Sequence, residues 1–558
     1  TVMAEGGMAA SMGNVDERDN WKVHFADTMR GGQYLNNCNM AEHHAKEASQ
    51  RVHELESWGA IFDRTKEGKI LQRNFGGHKY PRLAHVGDRT GLEMIRTLQD
   101  HGIHRGIDFH MEVTVTNLIL DGNRVVGAFA YEREKGRFLL FKAKAIVIAT
   151  GGYGRAFKIT SNSWEYTGDG QTLAYDAGAD LLDMEFVQFH PTGMVWPPSV
   201  RGILVTEGVR GEGGILTNSD GKRFMFEDVP PLYQSSTADN EAEGWRYVTG
   251  DKEANRPPEL LTRDHVARKI VKEVKEGRGS EHGGAYLDIA WIKEKIKDSE
   301  SHIKKKLPSM YHQFMELAGV DITKEKMEVG PTTHYAMGGI RVDADTQMTT
   351  VEGLFACGEC AAGLHGANRL GGNSLSDLLV FGKRAGEYAA KFAKEIDSFG
   401  SIDSQEVNGL VVKALEPVDR TDGENPYIIQ QDLQETMQDL AGISRSEEGL
   451  KEAIEHIHSY AERAKIAHAP GNREYNPSWH TALDLHNLLT VSEAMCLSAE
   501  QRTESRGGHF REEYPAKSEE GATYNTVVRK GSDGSMEVER VPVVPQTDEM
   551  KQIIEESH

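Results

Sequence analysis

Two glycine-rich segments, far apart in the chain, most constrain how it can fold. The apolar run 144–149 (KAIVIA) ends at Thr150-Gly151-Gly152, which is typical of a buried parallel strand whose end closely approaches a ligand. The same strand-like, glycine-rich texture returns over residues 331–372. Residues 185–330 differ, with Pro-Pro pairs and mixed helical patterns. The pattern predicts a nucleotide-binding domain that is interrupted by an inserted second domain.

Periodicity and turn residues predict the remaining elements. A β-hairpin is expected between residues 113 and 131, because Asp121-Gly122-Asn123 supplies suitable turn chemistry. Helical patterns cover 39–60, 89–98 and 396–505, and one short strand-like run covers 541–544 in an otherwise polar C-terminal segment.

The net charge limits the possible partners. At −22 over 558 residues, the chain is not expected to bind nucleic acid, which requires clustered Lys and Arg. The same charge repels anionic ligands at long range, so an anion site would have to be built from local Arg and His side chains. No run of about 18 apolar residues is present, which argues against a membrane span. No signal peptide is visible at the start of the sequence.

The four cysteines are too few and too scattered for a disulfide framework, which favours a reducing compartment. Cys357 and Cys360 form a CxxC pair, but the further ligands that a zinc site needs do not lie near it. No metal site is therefore predicted, and a redox pair remains the alternative interpretation of the CxxC.

Several short polar turns could form a cofactor site, although each could also be an ordinary turn. No GxGxxG fingerprint follows a first strand. Glycines at 151, 152 and 154 would permit close approach of the backbone, and Asp169 lies in a tight Gly-Asp-Gly turn. Glu359 follows a predicted strand, where its carboxylate could accept a ribityl or ribose hydroxyl.

A second set of loops is dense in His, Arg, Thr and Gly. A lone His or Arg is most often structural, but here several lie in glycine-rich loops, where backbone and ligand can come close. Converging Arg and His side chains would supply the local positive site that the net charge requires, and the planar guanidinium suits a carboxylate. The loops are Phe189-His190-Pro191-Thr192, residues 205–214, Thr262-Arg263-Asp264, Thr332-Thr333-His334 and residues 365–375.

The order and spacing of these segments resemble the succinate dehydrogenase/fumarate reductase flavoprotein family over nearly the whole chain. The strings TEGVRGEGG (206–214), GANRLGGNSL (366–375) and ESRGGHFRE (504–512) are highly specific for it. DRTGLEMIRTL (88–98) and the general layout most resemble the menaquinone-linked bacterial members.

The resemblance implies an α/β, Rossmann-like FAD-binding domain interrupted by an α+β capping domain, then a helical domain and a small C-terminal region. The expected boundaries are 1–184 and 331–395 for the FAD-binding domain, 185–330 for the cap, 396–510 for the helical domain and 511–558 for the C-terminal region.

The resemblance also implies roles for individual residues. Arg369 and His334 would bind one carboxylate of succinate or fumarate, and His190 and Thr206 the other. Arg263 would exchange a proton with one substrate carbon, and Glu207 and Arg210 would relay it to solvent. The residues implied for FAD binding are Thr1, Gly6, Gly7, Gly151, Gly152, Asp169, Glu359, Asn373, Ser374 and Leu375.

The sequence departs from the family at its beginning. The GxGxxG strand is absent, and so is the histidine that would anchor FAD covalently just before Thr1. We therefore expect that the sequence as given starts after that histidine and lacks an N-terminal segment.

The family resemblance implies partners as well. An iron–sulfur subunit would take the electrons, because four cysteines are too few for clusters that each need about four thiolates. That subunit would pass electrons to membrane anchor subunits and a quinone, with menaquinone expected, and the chain would lie peripherally on the cytoplasmic face of the inner membrane.

Three alternatives remain open at the level of sequence. L-aspartate oxidase shares much of this motif sequence but typically has Ala-Ser where this chain has Gly371-Gly372. Another flavin reductase of unsaturated acids, or a non-catalytic assembly protein with the same fold, is also compatible. The direction of the reaction is not encoded in the motifs, because succinate oxidation and fumarate reduction use the same residues.

Overall fold

The structure, a computed structural model, describes residues 1–251 and 253–557. Its first part combines helices with a small antiparallel sheet. Asn20 and Asn37 accept hydrogen bonds from the backbone N–H groups at the starts of two helices, which is the usual N-cap arrangement. The predicted helices at 39–60 and 89–98 are confirmed. The helices are Trp21–Gly31, Cys38–Ser57 and Thr90–His104, and the strands are Met8–Ala9, Gln72–Arg73 and Leu83–Ala84.

The predicted hairpin is confirmed and belongs to a three-stranded antiparallel sheet. Val113–Asp121 pairs with Arg124–Glu132, and Gly122 takes a φ of 64° in the turn between them. The third strand, Arg137–Lys142, was not predicted from the sequence.

The two glycine-rich segments meet as a pair of parallel strands. Ile146–Ile148 pairs with Leu354–Ala356, and each strand runs into a glycine with positive φ, Gly151 at 81° and Gly358 at 71°. The expectation of a fully buried strand is wrong, because Val147 is 39% exposed. Within the described residues, Ile146–Ile148 pairs with a strand on one side, and no strand pairs with its other edge.

The inserted segment has its own hydrophobic core, formed by buried residues between Met194 and Val329. Its sheet is antiparallel, in the order Ile215–Thr217, Ala285–Asp288, Met327–Ala336 and Val187–Met194. The helices around it are Glu207–Gly211, Pro231–Gln234, Glu241–Val248, Arg263–Lys275, Ser299–Lys306 and Pro308–Ala318. We call this inserted unit the cap.

The main core resumes after the cap and continues through the helical part. The long helix Asn373–Glu395 packs on Cys38–Ser57, which joins the start of the chain to its middle. The helical pattern predicted for 396–505 is confirmed. The helices of this part are Ser404–Asp419, Pro426–Leu440, Glu447–Ala464 and Pro477–Gln501, and the short helix Asp169–Asp176, which precedes the cap, packs on the last of them.

The C-terminal region is more ordered than its polar sequence suggested. Two strands, Tyr524–Lys530 and Met536–Pro542, form the edge of a five-stranded sheet, and Asp548–Glu556 is helical. The other strands of that sheet are Leu181–Leu182, Gly339–Arg341 and, at the opposite edge, Ala361–Ala362. The α/β fold with an inserted cap is confirmed, whereas the domain boundaries taken from the sequence stay predictions.

Over residues 1–251 and 253–557, the structure contains no helix with the length and apolar character needed to cross a bilayer.

Two residues of the segment 504–512, together with Arg502 and Glu185, form a buried charge network that links the C-terminal region to the start of the cap. Arg502 is fully buried, and its Nε donates to Glu185 Oε1 at 2.6 Å. Its Nη1 donates to Glu504 Oε1 at 3.1 Å, and Arg506 binds the same carboxylate at 2.8 Å. Because Glu185 directly precedes the strand Val187–Met194, this network fixes where that strand begins.

We expect Arg502→Ala to destabilise the protein by about 3–5 kcal/mol, because it leaves the buried Glu185 carboxylate without its cation. The melting temperature should fall by several degrees in a thermal unfolding assay. Lys451→Ala removes an exposed ion pair with Glu447 and should cost less than about 1 kcal/mol. Equal losses for the two variants would contradict this account of the network.

Candidate active site

The register of two cap strands brings two distant histidines together. Val187–Met194 pairs antiparallel with Met327–Ala336, and a bulge between Thr333 and Tyr335 turns His334 out of the regular ladder. The rings of His190 and His334 lie edge to face with their centroids 5.4 Å apart. Both histidines were candidates from sequence, and the structure places them side by side.

Two arginine side chains donate hydrogen bonds to Gln188, which lies on the same strand as His190. Arg263, the first residue of its helix, donates from Nη1 to Gln188 Oε1 at 3.2 Å. Arg369 donates to the same oxygen from Nη2 at 2.9 Å and from Nε at 3.3 Å. The neutral amide therefore holds two cations close together without neutralising either one. Burial, reinforced by Arg263, lowers the pKa of Arg369 to about 10.

The helix Glu207–Gly211 supplies the acidic side of the site. Thr206 caps its start by accepting a hydrogen bond from the N–H of Gly208. Glu207 Oε2 lies 3.3 Å from Arg263 Nε and 3.8 Å from Arg210 Nη2, so one carboxylate lies between two guanidiniums. Burial lowers the pKa of the fully enclosed Arg210.

Burial disfavours the charged form of both histidines of the site. Burial lowers the pKa of His190 and His334 well below the usual value, and neighbouring arginines, Arg263 for His190 and Arg369 for His334, lower it further. Ser161 Oγ lies 2.9 Å from His334 Nδ1, which fixes the orientation of that ring. The arginines therefore carry the positive charge of the site, while the imidazoles offer neutral hydrogen-bonding groups.

Two residues of the site escaped the sequence analysis. Gln188 lies two residues before His190 on one strand, and side chains two residues apart share a face of the sheet. That spacing was available in the sequence as a signal for Gln188. Phe75 contacts Gly371 so closely that a Cβ there would collide with its ring, and the Arg263 guanidinium lies 5.8 Å from the ring centre. For Phe75 the sequence offers only the following Gly76-Gly77 pair, which is a weak signal.

The glycine-rich and polar residues beside this cluster have the chemistry to hold a flavin nucleotide such as FAD. A Cβ on Gly152 would strike the half-buried Glu359 carboxylate, and one on Gly151 would strike the Tyr166 ring, so the backbone must pass close to both. The helix Asn373–Glu395 begins after Gly372 at a φ of 87°, without a side-chain cap. The N–H of Asn373 donates to the carbonyl of Leu370, and the N–H groups that follow it in the first turn have no side-chain acceptor at the cap position.

Glu359 is the half-buried acid beside these glycines. It accepts a hydrogen bond from the N–H of Ala336 at 3.1 Å, and burial raises its pKa to about 7. Such a carboxyl group can pair with a ligand hydroxyl.

The other residues predicted to bind the cofactor divide into two groups. Ala9 N–H donates to the carbonyl of Gly372 at 3.0 Å, which brings Gly6 and Gly7 to the start of the helix that carries Asn373, Ser374 and Leu375. The amino group of Thr1 lies near Glu359. Asp169 instead faces Thr167, Glu165 and His480, on the other side of Gly170.

Comparison with known proteins identifies the family. The family described as "FAD binding domain" matches residues 1–375, and "Fumarate reductase flavoprotein C-term" matches residues 430–553. The first match alone spans more than half of the chain, and it establishes FAD as the cofactor.

Named relatives agree with that assignment. The chain is 41% identical to one subunit of the "Fumarate reductase (CoM/CoB)" of Methanothermobacter marburgensis, over 92% of this chain and 87% of the relative. It is 36% identical to the "Succinate dehydrogenase flavoprotein subunit" of Coxiella burnetii, over 92% of this chain and 85% of that relative. The solved structure "Mycobacterium smegmatis Sdh1 in complex with UQ1" is 52% identical, with a TM-score of 0.83, over 98% of this chain and 88% of that one. The chain therefore belongs to the succinate dehydrogenase/fumarate reductase flavoprotein family.

Proposed function

We propose that this chain oxidises succinate to fumarate as the flavoprotein subunit of a succinate dehydrogenase. The observation that carries the proposal is the cluster of Arg263, Arg369, His190 and His334 around Gln188 in a protein whose net charge is −22. A dianionic ligand needs such a local concentration of positive and neutral donors. Relatives named for succinate and for fumarate support the same substrate pair.

We assign the two carboxylates of the substrate to opposite ends of the site. Arg369, held by Gln188 and by Ser374 Oγ at 2.6 Å, would bind one carboxylate together with His334. Charge-assisted hydrogen bonds from a guanidinium are the strongest available for this purpose. His190 and Thr206, whose hydroxyl oxygen accepts from Gly208 and whose side chain also hydrogen-bonds to Glu5, would hold the other carboxylate.

Arg263 would handle the proton. Arginine is an unusual acid or base because its reference pKa exceeds 12. Glu207 resolves the difficulty, because its carboxylate lies 3.3 Å from Arg263 Nε and can take one guanidinium proton while Arg263 takes another from the substrate carbon. Arg210, 3.8 Å further on, would continue the relay. Bound FAD would supply the two-electron hydride acceptor at its N5 position.

We assign the cofactor to the groove formed by Thr1, Gly6, Gly7, Gly151, Gly152, Asp169, Glu359, Asn373, Ser374 and Leu375. The uncapped helix start and the closely packed glycines support this assignment. Asp169 is the member whose contacts point away from Glu359, so its part would be to shape the turn at Gly168 and Gly170.

Electrons would leave through an iron–sulfur subunit. All four cysteines are buried free thiols, and burial raises the pKa of Cys357 and Cys496, which disfavours the thiolates that cluster ligation needs. The named relatives are themselves subunits. We further propose membrane anchor subunits and menaquinone as the final acceptor, with the chain held peripherally at the cytoplasmic face of the inner membrane.

Fumarate reduction by the same residues is the second candidate, because a 41% identical relative carries that name. L-aspartate oxidase is disfavoured by the Gly371-Gly372 pair. A side chain at Gly371 would collide with Phe75, and Gly372 takes a positive φ of 87°, so the Ala-Ser typical of the oxidase does not fit here.

The Arg263→Ala variant tests the proposed chemistry. It should lower kcat for succinate by about 10³-fold, within the range that acid–base groups contribute, while succinate still binds through Arg369 and the histidines. Stopped-flow flavin reduction and equilibrium binding measure the two effects. Arg268→Ala, on the same helix and paired with Asp264 at 3.1 Å, is the matched control and should keep wild-type turnover. Unchanged turnover in Arg263→Ala would refute the assignment.

Arg369→Gln tests the carboxylate site separately from the proton path. It removes the charge-assisted donors, so the Kd for succinate should rise by about 100-fold, equivalent to about 2.7 kcal/mol. Isothermal titration of the FAD-loaded protein measures this change. Arg246→Gln, on the cap surface and paired with Asp251, should bind like wild type. A Kd that rises no more than in that control would contradict the role of Arg369.

A further inference from the structure

Three histidines from the first part of the chain converge on the start of the helix Asn373–Glu395. His24 lies on the first helix of the chain, His44 on the second, and His78 on the loop that precedes the third. The ring centroids of His24 and His44 are 5.0 Å apart, and those of His24 and His78 are 6.0 Å apart. His24 and His44 are fully buried, whereas His78 is partly buried. We call these three residues the histidine trio.

Each member of the histidine trio contacts the segment 371–376, which starts that helix, through its Nε2 atom. The three contacts are His24 Nε2 to Asn373 Oδ1 at 3.0 Å, His44 Nε2 to Ser376 Oγ at 2.8 Å and His78 Nε2 to the Gly371 carbonyl oxygen at 2.7 Å. Residues that are about 300 positions away in sequence therefore meet on one short segment.

The acceptors show that these imidazoles act as donors. The Gly371 carbonyl can accept but not donate. The Asn373 amide donates from Nδ2 to Thr28 Oγ1 at 3.0 Å, which leaves its Oδ1 as the acceptor, and Ser376 Oγ donates to the carbonyl of Asn373 at 3.2 Å. In the neutral rings the proton is therefore on Nε2. The three Nδ1 atoms are buried and have no hydrogen-bond partner among the described residues.

A buried arginine disfavours the charged form of the histidine trio. Arg82 is fully buried and pairs with Asp19 and Asp27 at 2.9 Å each. Burial is the main cause that lowers the pKa of His24 well below its usual value and that of His44 to about 3, and the charge of Arg82 acts in the same direction. The rings can therefore hold the segment as neutral donors.

The segment 371–376 belongs to both halves of the proposed site. It contains three of the residues assigned above to the cofactor, and Ser374 Oγ accepts from Arg369 Nη1 at 2.6 Å. The helix has no side-chain cap, and Gly372 takes a φ of 87° at its start. The position of the segment therefore depends on contacts from other parts of the chain.

We propose that the members of the histidine trio are positioning residues, which hold the segment 371–376 in place at the cofactor and thereby raise the midpoint potential of the bound FAD. The inference rests on the assignment of this segment to the cofactor made above. The start of a helix carries partial positive charge and stabilises electron density on a nearby ligand. Two-electron reduction increases the electron density of the flavin ring, so a helix start that is held in place favours the reduced form.

His78→Leu and His24→Leu test the inference in the purified, FAD-loaded protein. Each removes one donor to the segment, and the partly buried loop position of His78 makes its variant the less disruptive of the two. We expect the preference for reduced over oxidised flavin to fall by about tenfold, equivalent to a midpoint potential about 30 mV more negative for a two-electron couple. Anaerobic redox titration of the flavin band measures the shift.

His78→Gln separates positioning from a merely structural role. Its side-chain amide retains an N–H donor, so it should restore the wild-type potential. A structural role would instead change the melting temperature and leave the potential of the folded protein unchanged. A His78→Gln potential shifted as far as that of His78→Leu would contradict the proposal.

The matched control is His456→Leu. His456 lies in the helix Glu447–Ala464, its ring centroid is 6.0 Å from that of Tyr460, and its Nδ1 is likewise buried with no hydrogen-bond partner in the part of the chain that the structure describes. Its loss should leave the potential at the wild-type value. An equal shift in this control, or wild-type potentials in both His78→Leu and His24→Leu, would overturn the role of the histidine trio.

Ser374→Trp tests the cofactor assignment separately. Its bulk should exclude FAD from the segment and lower the flavin content of the folded protein. Full flavin content in Ser374→Trp would overturn the assignment, and the inference with it. Loss of flavin in Ser374→Trp together with wild-type potentials in the two histidine variants would overturn the role of the histidine trio alone.

Discussion

The site depends on holding two buried arginines together in an acidic protein. Like charges repel, and burial removes the water that would screen them. Gln188 permits the arrangement because its one amide oxygen accepts from both Arg263 and Arg369, while its amide nitrogen donates to Asn368 and to the Arg369 carbonyl. The Glu207 carboxylate lies on the far side of Arg263 and offsets part of the charge. The remaining positive charge is what a dianion can use.

The architecture brings these groups to one place. His190, Glu207 and Arg263 come from the cap, whereas Arg369 comes from the loop before the long helix Asn373–Glu395. The cap has its own core between Met194 and Val329, so its packing is separate from that of the main core. The buried Glu185–Arg502 pair then fixes the start of the strand that carries Gln188 and His190. Acid–base chemistry, carboxylate binding and cofactor binding therefore depend on separate parts of the chain.

Much of this could be predicted from the sequence, and the exceptions have physical reasons. Periodicity predicted the hairpin 113–131 and the helices of 396–505, since local patterns encode them. The sequence predicted a parallel strand at 144–149 and a return of strand-like pattern over 331–372, but not that Ile146–Ile148 pairs with Leu354–Ala356. It also missed the exposure of Val147, because burial depends on what covers the other edge. Glutamine and phenylalanine carry no charge, so the spacing of Gln188 from His190 and the glycines after Phe75 were the only sequence signals for them, and their contacts showed their roles. The C-terminal strands were obscured by polar residues on their exposed faces.

The most direct test of the central claim is the visible spectrum of the FAD-loaded protein under anaerobic conditions, before and after succinate is added, with L-aspartate as the control. The account predicts that succinate bleaches the flavin band and that L-aspartate leaves it unchanged, because the site has no room for the Ala-Ser pair typical of the oxidase. Bleaching by L-aspartate, or a flavin band that succinate leaves intact, would contradict it.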